Sequence, residues 1–195
     1  MKDRIKAIQK KIGVTADGII GPITVAAIAD ALGIKQEANK WPTQAEVRSG
    51  NSIFGKAGDE SQLVNIVPPY PLYFDGKKCK TIRVHRLIAP AVKNALDDIL
   101  DHYGLNKIKE LGLDQYSGSF SNRKTTTGSA MSMHAWGIAL DFAAATNGYS
   151  THKPKATLSI PECEKFWEIW ESYGAVSLGR EKDFDWMHLQ FASLK

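Results

Sequence analysis

Apolar residues recur at helical spacing in four stretches of the chain. Ile5, Ile8 and Ile12 lie on one stripe, which predicts an amphipathic helix that Gly13 breaks. The run Asp17-Gly18-Ile19-Ile20-Gly21-Pro22 reads as a turn, and Pro22 suits the first position of a second helix. Val25, Ile28, Ala29 and Leu32 form the apolar stripe of that helix, and Gly33 ends it. A stronger helix is predicted from Ala89 to Tyr103, where Val92, Leu96, Ile99 and Leu100 recur three and four apart. The fourth runs from Pro161 to Tyr173 and buries Phe166, Trp167, Ile169 and Trp170. Strands are expected at Leu63 to Val67, Thr81 to Val84, Gly137 to Ala143 and Trp186 to Phe191. Residues 35–70 show no sustained period and carry Trp41-Pro42, Ser49-Gly50-Asn51 and Pro68-Pro69. The expected organisation is a helical module at 1–34, a linker and domain edge at 35–70, and a main domain at 71–195.

Composition bounds this picture without naming a chemistry. At 195 residues, 43% hydrophobic and 24% charged, the chain suffices for one well-buried domain and a small module. No run approaches the roughly 18 apolar residues of a spanning helix. Met1-Lys2-Asp3-Arg4 leads into a helix pattern rather than an apolar signal core, so synthesis in the cytoplasm without a signal peptide is expected. A net charge of +4 favours anionic partners in general, and it is too small to choose among nucleic acid, membrane surfaces and acidic wall polymers. Cys79 and Cys163 lack the spacing of a metal or redox pair and are expected to be reduced.

Two short motifs change the picture. Ser132-Met-His134-Ala-Trp-Gly137-Ile-Ala139-Leu-Asp141 and Asp185-Trp-Met-His188 offer three metal ligands, His134, Asp141 and His188, with Asp185 as a carboxylate to take the proton of a metal-activated water. On a strand from Gly137 to Ala143, Ile138, Leu140 and Phe142 face one way and Gly137, Ala139, Asp141 and Ala143 the other. A buried carboxylate among Gly and Ala has no neighbour to offset its charge, and that space suits a metal and a substrate. In the last strand Trp186, His188 and Gln190 share one face. Asp185 has the opposite parity and reaches the same metal only if the chain bends at Asp185-Trp186, with Asp183 as the fallback base. His85, His102 and His152 lack such a context and read as surface or supporting residues.

The first motif matches, residue for residue, the Ser-x-His-x-x-Gly-x-Ala-x-Asp signature of the zinc D-alanyl-D-alanine carboxypeptidase and endopeptidase family, which includes VanX, VanY and many phage endolysins. Residues 42–192 resemble that family. The resemblance implies an α+β fold, a small antiparallel sheet flanked by helices with zinc in an open groove, as in hedgehog-type and D,D-peptidase relatives. It implies Zn2+ as cofactor on His134, Asp141 and His188, and Asp185 as the catalytic base. Arg123, in Gly118-Ser119-Phe120-x-x-Arg123, corresponds to the family's substrate-facing arginine. Ser132 either contacts substrate or fixes the loop that carries His134. Gln9 to Ala27 resembles an abbreviated peptidoglycan-binding repeat. Together these imply a monomeric endolysin that cuts the L-Ala-D-Glu bond of peptidoglycan, with no nucleic-acid partner and no membrane insertion. Made in the host cytoplasm, it would reach the wall through a membrane lesion. A D,D-carboxypeptidase or dipeptidase of the same fold, and a non-catalytic zinc-containing wall-binding protein, are the alternatives.

Overall fold

The computed structural model describes residues 1–14, 16, 18–20, 22–32 and 41–195. The chain divides into two compact units, Met1–Lys40 and Trp41–Lys195. In the first, helices α1 (Lys2–Lys11) and α2 (Pro22–Ala31) flank a turn. Gln9, fully buried, organises that turn: its Nε2 donates to the Ile19 carbonyl at 2.8 Å and to Thr24 Oγ1 at 3.0 Å, and its Oε1 accepts from the Gly18 amide at 2.8 Å. Of the stripe expected on α2, Ala29 is buried, whereas Val25 and Leu32 are exposed, since a two-helix unit has too little interior to cover both. Gly33, read as the end of α2, and Thr15, Asp17 and Gly21 of the repeat-like motif lie outside the described residues.

The second unit is mixed α+β with small antiparallel sheets. It begins with α3 (Gln44–Ser49), then β1 (Leu63–Ile66), the hairpin β2 (Tyr73–Phe74) and β3 (Lys77–Lys78), β4 (Ile82–His85) and α4 (Ala89–Glu110). There follow β5 (Tyr116–Gly118), β6 (Ala139–Phe142), α5 (Ala144–Asn147), α6 (Glu164–Ser172), β7 (Val176–Ser177), α7 (Leu178–Lys182) and β8 (His188–Gln190). Strands β1 and β4 pair, β2 pairs with β3, and the central sheet has the order β5-β6-β8-β7. In that sheet Leu140 lies opposite Leu189, and Asp141 opposite His188. One face of β6 therefore turns Leu140 and Phe142 onto α6, with the Phe142 ring 5.4 Å from Phe166 and 5.8 Å from Trp170. The other face carries Asp141.

Several boundaries differ from the sequence expectation for local physical reasons. Strand β6 is shorter than 137–143 because Gly137 and Ala143 are both left-handed (φ 67° and 47°) and turn the chain out of the ladder. The helix expected to stop at Tyr103 resumes after a break at Gly104, whose φ of 66° and ψ of 163° are not helical. Residues 41–70, read as linker and domain edge, hold α3 and β1. The Trp41 ring packs 5.6 Å from Phe54 and 5.8 Å from Phe191. Cys79 and Cys163 are both free. Among the described residues no helix is long and apolar enough to cross a membrane.

Candidate metal centre

Ser132 starts the segment that delivers His134. Extended at φ −68° and ψ 149°, it accepts the His134 amide on its hydroxyl at 3.3 Å and so caps a single 3-10 turn, Met133–Trp136. Gly137 ends the turn in the left-handed conformation, with its amide on the His134 carbonyl. A Cβ there would meet Leu63 Cδ2 at 2.5 Å and the His85 amide nitrogen at 3.2 Å, so both backbone angle and space call for glycine. Seven residues after His134, Asp141 projects from β6 directly across from His188 on β8.

The three side chains meet. Asp141 Oδ2 lies 3.2 Å from His134 Nε2, Asp141 Oδ1 lies 3.1 Å from His188 Nδ1, and the two imidazole nitrogens are 3.2 Å apart. One ligand atom from each lies within 4.8 Å of the others, and all three residues are buried. The Ser119 carbonyl, 3.1 Å from His134 Nδ1, can only accept, so Nδ1 carries a proton and Nε2 is the nitrogen left to take an ion. Burial opposes ionisation of Asp141, but the contacts from His134 and His188 outweigh it and hold the carboxyl well below the ordinary carboxylate range. Two nitrogen donors and an ionised carboxylate, all converging, form a donor set that fits a divalent cation.

Asp185 joins the same cleft of about 330 Å³. Its φ of 53° is the bend its parity requires, and the carbonyl of this left-handed residue accepts the His188 amide at 2.9 Å. Oδ1 is buried with no hydrogen-bond partner. Burial raises the Asp185 carboxyl above its ordinary value, with His188 pulling the other way, which suits a group that must hold and release a proton. The fallback base is otherwise engaged: exposed Asp183 uses Oδ1 to accept the Lys153 amide at 3.0 Å and Trp186 Nε1 at 2.8 Å. Exposed Arg123 lines the cleft. Its carbonyl accepts the Ser132 amide at 3.0 Å. Ser132 also lines the cleft, so its capping role does not remove it from the substrate's reach.

Of the other histidines, His102 and His152 are exposed, whereas His85 is buried against Phe54 and accepts the Leu87 amide on Nδ1, a core role rather than a surface one. Sequence reasoning missed the backbone partner Ser119, which no side-chain pattern announces. It also passed over Gln190, whose Oε1 lies 3.2 Å from His188 Nε2.

Residues 125–191, about a third of the chain, match the profile of a family described as D-alanyl-D-alanine carboxypeptidase. His134, Asp141, Asp185 and His188 all fall inside this stretch, and Arg123 lies just before it. No curated protein and no solved structure matches the chain. The profile match, laid over a buried His-Asp-His cluster, supports a metallopeptidase of the class that acts on peptidoglycan-like D-alanine substrates.

Proposed function

We propose that the protein is a zinc-dependent peptidoglycan peptidase of the endolysin type, cutting the stem peptide at the L-alanyl-D-glutamate bond. The observation that carries this reading is the shared cleft: the buried ligand cluster on one side and the unpartnered Asp185 oxygen beside it. His134, Asp141 and His188 would hold the ion, which when bound polarises the scissile carbonyl and lowers the pKa of water from 15.7 to about 7. Asp185 accepts the proton of the attacking water and passes it to the leaving amine. Arg123 is permanently charged and faces the same cleft, where it stabilises the oxyanion of the tetrahedral intermediate.

The choice of bond rests on the resemblance of residues 9–27 to a wall-binding repeat, since a polymeric substrate rewards an anchor. Arg123 and Lys182 both line the cleft and suit the free carboxylate that D-glutamate and a terminal D-alanine alike bring beside the scissile amide. On this reading the enzyme works on the wall once a membrane lesion gives it access. A D-alanyl-D-alanine carboxypeptidase is the second reading, favoured by the description of the matched family.

Mass spectrometry of muropeptides incubated with the protein, with and without chelator, tests both. A new amino terminus on D-glutamate is expected. Loss of terminal D-alanine instead selects the second reading. Neither product, from protein carrying its metal, points to the non-catalytic wall-binding alternative.

A further inference from the structure

A chain of side-chain hydrogen bonds ends on His188, and its direction is fixed at both ends. Arg48 has donors only, and its Nη1 reaches Gln44 Oε1 at 3.0 Å. Gln44 must therefore present its amide nitrogen to the next residue, and Nε2 donates to Gln190 Oε1 at 3.0 Å. At the far end the Ala192 carbonyl can only accept, and it takes Gln190 Nε2 at 2.7 Å. Both constraints leave Gln190 Oε1 as the atom facing His188 Nε2, 3.2 Å away. The imidazole then donates from Nε2. Its Nδ1 is left as the nitrogen facing Asp141 and His134, the one able to offer a lone pair to a cation there.

The same helix reaches the other ligand-bearing segment. Arg48 Nε donates to the Met131 carbonyl at 3.0 Å, immediately before the serine that caps the His134 turn. Helix α3 is itself well anchored. Thr43 and Glu46 form a reciprocal capping box, the Gln44 amide donates to the Ser193 carbonyl at 2.9 Å, and Val47 is fully buried.

We infer that Arg48, Gln44 and Gln190 are positioning residues for the metal: they select the tautomer of His188 and, through Met131, steady the loop of His134. This rests on the metallopeptidase reading. Both glutamines line the same cleft, and the role argued for them runs through the ligand, in the way outer partners set the tautomer and ring orientation of metal-binding histidines.

Zinc affinity, measured by competition with a chromophoric chelator, separates this role from simple packing. Gln190→Leu removes the acceptor at similar volume and should weaken zinc binding about 10-fold to 100-fold. Gln190→Glu keeps an acceptor on Nε2 and should retain most of the affinity. A packing role predicts the reverse order, because a buried leucine is tolerated better than a buried carboxylate. Gln44→Glu sets an acceptor against Gln190 Oε1 and should produce a smaller loss in the same direction. It lies half-buried on α3 and carries the test should Gln190→Leu not fold. Nitrogen-15 spectra of the zinc-loaded protein should show His188 protonated at Nε2. Zinc bound equally by wild type, Gln190→Leu and Gln44→Glu, or more tightly by Gln190→Leu than by Gln190→Glu, overturns the inference. A wild-type chain that takes up no zinc gives a different result: it overturns the metallopeptidase reading and the relay with it.

Discussion

Gly137→Ala should destabilise the protein far more than Gly55→Ala, although the two glycines share nearly the same backbone angle, φ 67° and 69°. An L-residue in the left-handed region costs about 1–2 kcal/mol, and replacing glycine recovers about 0.4–1 kcal/mol by restricting the unfolded chain. Gly55 has nothing within 4 Å of an added Cβ, so its substitution should cost only this difference, about 0.5–1 kcal/mol. At Gly137 the new methyl meets Leu63 Cδ2 at 2.5 Å and backbone atoms of β4 from 3.2 Å outward. Leu63 can rotate, but the His85 amide is held by the Gly137 carbonyl at 2.9 Å and cannot give way cheaply. Overpacking of that kind adds about 1–3 kcal/mol, for a total near 1.5–4 kcal/mol. Urea unfolding of the metal-free proteins is the assay, since bound metal would add its own linkage to the difference. Equal losses for the two variants would refute the argument that lack of space adds to the backbone requirement at Gly137.

Asp185→Ala should keep one equivalent of zinc while turnover falls roughly a hundredfold or more; His188→Ala should lose metal and activity together, as elemental analysis and muropeptide hydrolysis would report. If Asp183→Ala proves the inactive variant instead, the base has been misassigned. Chelation should abolish hydrolysis and added zinc restore it; zinc at a thousand times its Kd should also stabilise the fold by about 4.1 kcal/mol, read as a rise in Tm. No thermal shift with saturating zinc would count against a preformed site. A chain beginning at Trp41 should fold and hydrolyse a soluble muropeptide at the full-length rate, yet lyse intact sacculi poorly if the first 40 residues anchor it. Equal sacculus binding by both forms would remove the anchor.

What was legible in the sequence follows from how local each signal is. The buried face of α6 announces itself because four large apolar residues recur within one helix. The candidate ligands stand in two compact motifs, and the match of the first to a family signature singles them out where spacing by itself would not. Helix α3 escaped because six residues are too few for a period, although Thr43-x-x-Glu46 is a capping-box signature that marks its start. The role of Gln190 was hidden for a different reason. Its parity with His188 is visible, but its partners Gln44 and Arg48 lie more than 140 residues away, and no spacing rule connects them. The ends of β6 misled the alternation argument because Gly137 and Ala143 have the parity of strand residues and the backbone of turns.

The pairing of Asp141 with His188 has a further consequence, because the same register sets Leu140 against Leu189. A slip of one residue between β6 and β8 would turn one strand over against the other, sending its leucine toward the cleft and its ligand toward the aromatic layer on α6. No such mispaired chain can gather His134, Asp141 and His188 around one ion. Core packing thus acts as a proofreading step for the chemistry. A chain that has joined its strands wrongly lacks the cluster, and only correctly assembled molecules can hold an ion there.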